Sequence, residues 1–252
     1  MNENIERKTP TLDQRLALRE RPDAGHVMRQ RWAELLFLHW EVPAEAVQQR
    51  LPDGLFVDLH DGRAFLGFVP FLMRAIRPRG LPAVPYLSNF LECNVRTYVH
   101  DARGTPGVWF FSLDTDRWVA FQVARRVFHL PYFWARMQAS VTERVTFDVQ
   151  RRGTEESVRY DYGRPESTAV AEPGSLEFFL LERYLLFAFN ASSGSLRTGR
   201  VHHAPYRYGS TDLKAWSTQP AVWSGFDPLH GDPVHSCVAE TVDVEVFRLE
   251  TA

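Results

Sequence analysis

The sequence predicts a mainly β chain of the α+β class, an antiparallel β-barrel or cone with a few flanking helices, and three observations carry that expectation. Strand-like runs are joined by Asp-Gly and Gly-containing turns, as in hairpins. One stretch, Met137 to Gln150, alternates apolar and polar residues with period two almost throughout. Strand and helix patterns do not alternate along the chain, and neither GxGxxG nor GxxxxGK(S/T) occurs, which disfavours a doubly wound nucleotide-binding fold. Large aromatic residues among so many strands suggest a curved or closed sheet with a filled or partly hollow interior.

The elements follow in order. Residues 1–25 are polar and broken by TP and RPDAG, so they read as an arm, flexible or packed on the surface, ahead of a single domain at 26–252. RWAELLFLHWEV, from Arg31, is strand-like. PAEAVQQRLP opens on Pro43 and closes on a second proline, which fits one short helix. LFVDLHDGRAFLGFVPFLM splits at HDGR into the two strands of a hairpin, and NFLECNVRTYVHDARGTPGVWFFSLD repeats the device with a longer loop. In Met137 to Gln150, Met137, Ala139, Val141, Val145, Phe147 and Val149 share one face and Glu143 interrupts it. That carboxylate either meets a cation such as Arg96 or Arg125 inside, or a bulge puts it in water. RRGTEES turns into the partner strand VRYDYG. Ser175 caps a helix in LEFFLLERYLLFAF, whose far end could equally continue as a strand. TGRVHHAPYRY and VAETVDVEVFRL close the chain as strands.

Composition sets the function classes. The 252 residues are 44% hydrophobic and 13% aromatic, ample for a full core. A formal net charge of -2 without long like-charge runs argues against nucleic acid as a partner. The N-terminus has no apolar h-region and no window approaches the roughly 18 apolar residues of a membrane span, so a cytoplasmic protein without a membrane partner is expected. Cys93 and Cys237 are too few and too far apart for a disulfide framework. The nine histidines include the pair His202 and His203, which on a strand would face opposite ways, and none shows HExxH spacing, so neither a metal nor a cofactor is expected. Lys8 and Lys214 are the only lysines, which restricts imine chemistry to two side chains.

Candidate site residues come from strand faces. In LECNVRTYV, Glu92, Asn94, Arg96 and Tyr98 share one face. On a half-buried sheet this is the wet face; in a barrel it lines the lumen and offers a carboxylate, an amide, a guanidinium and a phenol to a small polar ligand. Glu182, Arg183 and Tyr184 interrupt an apolar run, either as the solvent face of an amphipathic helix or as a buried pair bracing the pocket.

FLHWEV, LPDGLFVDLHDGRAFLGFVPFLM, ECNVRTYV, GVWFFSLD, ARRVFHLPY, LLERY and GRVHHAPY resemble, in that order, recurring segments of the YqjF-like family of uncharacterised bacterial proteins, over Arg31 to Tyr206. That family is grouped with acetoacetate decarboxylase, so the resemblance implies an acetoacetate-decarboxylase-like cone of antiparallel strands around a central pocket. The decarboxylases carry G-R-E-x-x-G-x-P-K-K-x-A, whose first lysine forms the imine. ARRVFHLPYFWA resembles a divergent copy: Arg125 matches the arginine, Pro131 the proline and Ala135 the alanine, while Tyr132 and Phe133 stand where the lysines would be. His129 or Leu130 stands at the second glycine. A phenol forms no imine, so Schiff-base decarboxylation at this position is excluded.

The resulting expectation is a cavity for an anionic small molecule, a carboxylate- or carbonyl-bearing metabolite, handled by acid-base chemistry. Arg125 would hold the anion, Tyr132 would donate a proton, and Glu92 would act as base. Arg96, Asn94, Tyr98, Glu143 and His129 would line the site. The other reading is a non-catalytic ligand-binding or scaffold protein whose pocket is filled by Phe128, Tyr132, Phe133 and Trp134. Edge strands of such a sheet would offer surfaces for a homo-oligomer.

Overall fold

Thr11 starts the architecture. Its hydroxyl accepts from the Gln14 backbone N–H, the Gln14 side chain accepts from the Thr11 N–H in return, and this capping box begins α1 (Leu12–Ala17). The computed structural model to which it belongs describes residues 8–252 except 85 and 192 and the side chains at 120, 123, 124 and 127. Residues 1–7 of the expected flexible arm lie outside the described residues. The rest of that arm takes the surface-packed alternative and forms a strap. Arg15 forks onto Asp58 at 2.6 and 2.7 Å, and Arg200 donates to the Leu18 and Glu20 carbonyls. Its partners lie far along the chain, where local composition cannot reveal them.

Glu34, in the left-handed region at φ 53°, separates β1 (Met28–Ala33) from β2 (Leu35–Val42) within what reads as one strand. Pro43 is the N-cap of α2 (Ala44–Gln48), as expected from its fixed φ. Between β3 (Leu55–Val57) and β4 (Ala64–Pro78), Asp61 and Gly62 both have positive φ, and His60 and Arg63 exchange two backbone bonds of 3.0 Å. The turn is therefore of the hairpin type. Its flanks diverge nonetheless: β3 pairs with β5 (Phe90–Asp101), and β4 pairs with β1, β2 and β5. The second expected hairpin does form, β5 running antiparallel to β6 (Pro106–Thr115).

Beyond α3 (Trp118–Val127), the expected long strand at 137–150 is two strands. β7 (Tyr132–Val141) and β8 (Arg144–Arg151) pair from Ala135↔Arg151 to Val141↔Val145 across a tight Thr142-Glu143 turn. The alternation resumes on the same face after the turn because equivalent residues oppose one another across the hairpin, and only Glu143, at the reversal, breaks it. β9 (Val158–Gly163) pairs with β8 as expected. After the short β10 (Ala169–Val170), Ser175 caps α4 (Leu176–Leu181), and the run then changes to β11 (Leu185–Asn190). β12 (Ser195–His202), β13 (Arg207–Gly209), β14 (Leu213–Ala215), α5 (Gln219–Trp223), β15 (His235–Ala239), β16 (Val242–Val246) and β17 (Glu250–Thr251) complete the described chain.

Seven of these strands close on themselves. β1 pairs with β4, β4 with β5, β5 with β6, β6 with β11 in parallel, β11 with β12, β12 with β16, and β16 with β1. A closed ring leaves a lumen, and the β7–β8–β9 meander covers its outside through Phe147, Val149 and Tyr160, which pack with Cys93 and Val95 of β5. Among the described residues, no helix is long and apolar enough to cross a membrane.

The parallel β6–β11 seam depends on Gly107, where a Cβ would lie 2.7 Å from Leu185 Cδ2 and 2.9 Å from the Leu185 carbonyl oxygen. Backbone cannot yield there as a flexible side chain can. Gly107→Ala is expected to cost about 1–3 kcal/mol by overpacking, read as a lowered urea midpoint with an unchanged slope.

Candidate functional site

The inner face of β5 supplies the polar wall of the lumen. β5 is buried on both faces, so the wet-face reading does not apply. Glu92, Asn94 and Arg96 line a cavity of about 320 Å³ inside the ring, at the lower end of small-molecule pockets. Trp32, Phe71, Leu113 and Leu181 are among its apolar walls. Gly67 stands opposite Arg96 in the β4–β5 register, and a Cβ there would be 3.0 Å from the His39 ring and 3.4 Å from Arg96 Cγ. The missing side chain gives the arginine stem and the imidazole their space.

Tyr132, at the start of β7, donates its hydroxyl to Glu92 Oε2 at 2.6 Å, while Asn94 Nδ2 reaches Oε1 at a long 3.4 Å. Burial lifts the Glu92 carboxyl to about 7; the Tyr132 and Asn94 hydrogen bonds oppose the rise and the Asp114 charge adds to it. Burial, and then the neighbouring Glu92, push the Tyr132 phenol well above its ordinary value, so it stays a proton donor. The pair is therefore a carboxyl that exchanges its proton near neutrality, held by a phenol that keeps its own.

Arg96 is 8% exposed. Its Nη2 donates to the Leu180 carbonyl at 2.9 Å and to Tyr98 Oη at 3.4 Å, and its guanidinium lies 5.1 Å from the Phe37 ring centre. Among the described residues Nε has no hydrogen-bond partner and no carboxylate lies within 4.0 Å of the guanidinium. A buried cation without a counter-ion is costly, and an entering anion would relieve that cost. Arg183, on the same wall, donates from Nη1 to Asp58 at 3.0 Å and leaves Nη2 unpartnered, as is Asn94 Oδ1. Tyr98 does not line the cavity: its hydroxyl donates to the Leu180 carbonyl at 2.8 Å and lies 2.7 Å from His39 Nε2, behind Arg96.

Three further expected site residues also lie off the cavity wall. Arg125 is exposed in the last turn of α3, with its guanidinium 5.3 Å from the Phe121 ring centre. The aromatic run after it suggests a buried segment, but Arg125 belongs to a helix that ends beforehand, where a cation favours the helix dipole. Arg126 is exposed beside it. Glu143 is exposed in the β7–β8 turn, so the bulge alternative was closer than the buried pair. His129 takes a positive φ of 52° in the α3–β7 connection and is not on the cavity wall.

The aromatic residues do not fill the lumen. Phe128 and Tyr132 form part of its wall, whereas Phe133 lies under Arg151 at 4.1 Å and Trp134 under Arg152 at 3.4 Å. Glu182 and Arg183 are both buried, but not with each other: Glu182 accepts from Tyr184 and from the Tyr206 N–H, with Arg19 at 3.7 Å. His203 is buried against Tyr184 and Tyr206, which lowers it to about 4, while His202 is half-buried on the other side. Sequence reasoning missed Asp58 and Arg15, and the apolar walls given by β1 and β4. Both lysines are exposed and neither borders the cavity.

Comparisons with known proteins identify the family and the fold. A family model described as DUF2071, an uncharacterized conserved protein, matches residues 29–243. The chain is 36% identical over 187 residues to the uncharacterized protein YqjF of Bacillus subtilis, covering 73% of this chain and 76% of that one. The enduracididine biosynthesis enzyme MppR, complexed with pyruvate, has a similar structure with a TM-score of 0.62 at 15% identity over 92% of this chain and 93% of its own. Acetoacetate decarboxylase from Legionella pneumophila gives a TM-score of 0.62 at 14% identity over 91% and 88%. The fold is thus the acetoacetate-decarboxylase-like one.

Proposed function

This chain belongs to the DUF2071 family, and from that premise we propose that its central cavity binds a small carboxylate, with Arg96 holding the anion and Glu92 exchanging a proton with the ligand. The observation that carries this reading is Arg96, a buried residue of the cavity wall whose guanidinium has no carboxylate partner among the described residues. A planar guanidinium matches a carboxylate, and the exclusion of water strengthens the contact. Arg183 adds a second cation on the wall, already shared with Asp58. Arg96 thus takes the anion-holding role expected of Arg125.

The chemistry open to the site is acid-base chemistry. The Glu92 carboxyl near 7 is matched to proton exchange at neutral pH, and Tyr132 holds it in place through a 2.6 Å bond. Among the described residues no lysine borders the cavity, which argues against a covalent imine there. The similar fold of MppR accommodates pyruvate, which makes a 2-oxo acid a reasonable first probe.

The test is a thermal-shift and calorimetric panel of short carboxylates and 2-oxo acids on the wild type, Arg96→Gln and Arg96→Lys. At one hundred times its Kd, a binding acid is expected to stabilise the wild type by about 2.7 kcal/mol. Arg96→Gln should weaken it by roughly 10- to 150-fold, the value of charged hydrogen bonds, with partial recovery in Arg96→Lys. A wild type that no carboxylate stabilises, or equal binding by a folded Arg96→Gln, would remove the reading.

A further inference from the structure

We infer that the ligand is an amphipathic monocarboxylate, its charged head at Arg96 and an unbranched apolar tail running outward along β4. This rests on the carboxylate reading above and adds the tail. The charged groups are gathered at the inner end: Glu92, Arg96 and Arg183, with the Asn94 amide, are all buried cavity residues, whereas the Gln30 amide on the outer wall is already engaged by Trp32 Nε1 at 2.8 Å and by Met28. The rest of the wall is overwhelmingly apolar. Val69, Phe71, Met73, Ile76 and Pro78 border the cavity in sequence on β4, the alternation changing phase at a bulge where Ala75 takes a φ of 50°, so the wall is shorter than the roughly 30 Å of an unbroken strand.

The mouth is apolar as well. Leu87 and Val119, 43% and 42% exposed, border the cavity at its outer end with the exposed Pro78. A fully polar metabolite would leave this trough without partners and would lose its own hydration. About 320 Å³ spread along such a wall makes a narrow space, which suits a chain better than a broad ring system. The two ends thus have different chemistry, and only a ligand with two different ends satisfies both.

The experiment is calorimetric titration of the wild type with straight-chain alkanoates from four to fourteen carbons, alongside their methyl esters. Each buried methylene contributes about 0.8 kcal/mol, so affinity should rise about fourfold per carbon until the tail reaches the mouth, with the esters far weaker. Ile76→Trp, which narrows the half-buried outer wall, should weaken the long acids and leave the short ones unchanged. Acids that bind equally at every length would overturn the inference and leave the carboxylate reading intact. Esters binding as well as acids, with the length dependence kept, would overturn the head-group assignment instead. No binding by any acid would remove both.

Discussion

Asp58→Ala is expected to lower the unfolding free energy by about 3–5 kcal/mol, the cost of leaving a buried guanidinium without its carboxylate. Asp58 is 3% exposed and bonds Arg15 at 2.6 and 2.7 Å and Arg183 at 3.0 Å. Burial pushes its carboxyl up, but the Arg183 and Arg15 guanidiniums outweigh that and hold it below the ordinary 3.8. A depressed carboxyl contributes stability above its unfolded value and loses it as pH falls through the folded one. The wild type should therefore lose stability more steeply than Asp58→Ala in acid below about pH 4. The Arg183 side chain, 4% exposed, would be left buried and unpaired, whereas Arg15 at 13% could turn toward water. Arg15→Met, which leaves Asp58 its inner partner, should cost less, about 1.5–3 kcal/mol. Asp58→Leu with Arg183→Met removes both charges and should recover part of the loss in a double-mutant cycle. Urea midpoints at pH 7 and pH 4 decide it; an Asp58→Ala midpoint equal to the wild type would show that the triad holds nothing.

The limits of reading this sequence follow from the same interactions. The inner face of β5 was legible because period two assigns Glu92, Asn94 and Arg96 to one side, and the YqjF-like motifs supplied a barrel in which that side is the lumen. Nothing local could distinguish Arg96 from Arg125. One lies on a strand buried on both faces, the other in an exposed helical turn, and both sit among aromatic residues. The β7–β8 reversal left a single local mark, Glu143, which breaks the apolar face at the turn itself and reads equally as a buried carboxylate or a bulge. The strap was hidden because its anchor, Asp58, is 43 residues from Arg15. Ring closure, which makes the cavity, depends on long-range pairs such as β1 with β16 and β6 with β11, and those pairings carry no short-range signal.

Glu92→Gln is expected to flatten the wild type's loss of stability between pH 4.5 and 7. The Glu92 carboxyl rises from an ordinary 4.5 to about 7, chiefly through burial. Within that window the native state keeps a proton that the unfolded chain has released. Stability from this group is therefore complete below 4.5 and is lost as pH rises through 7, a change on the order of 3 kcal/mol. Glutamine is neutral throughout and can still accept from the Tyr132 hydroxyl, so the variant should match the wild type near pH 4.5 and exceed it by that amount above pH 8. Buried His39 and His203 work in the opposite direction, since burial lowers both and the native state resists their protonation. The difference between the two curves, not the wild-type curve alone, isolates Glu92. Tyr132→Phe removes the strongest bond to the ionised carboxylate and should move the step to higher pH, a displacement that loss of packing alone would not cause. Parallel wild-type and Glu92→Gln stability curves from pH 4.5 to 8.5 would mean that this carboxyl does not titrate near neutrality, and the proton-exchanging role of the pair would fall with it.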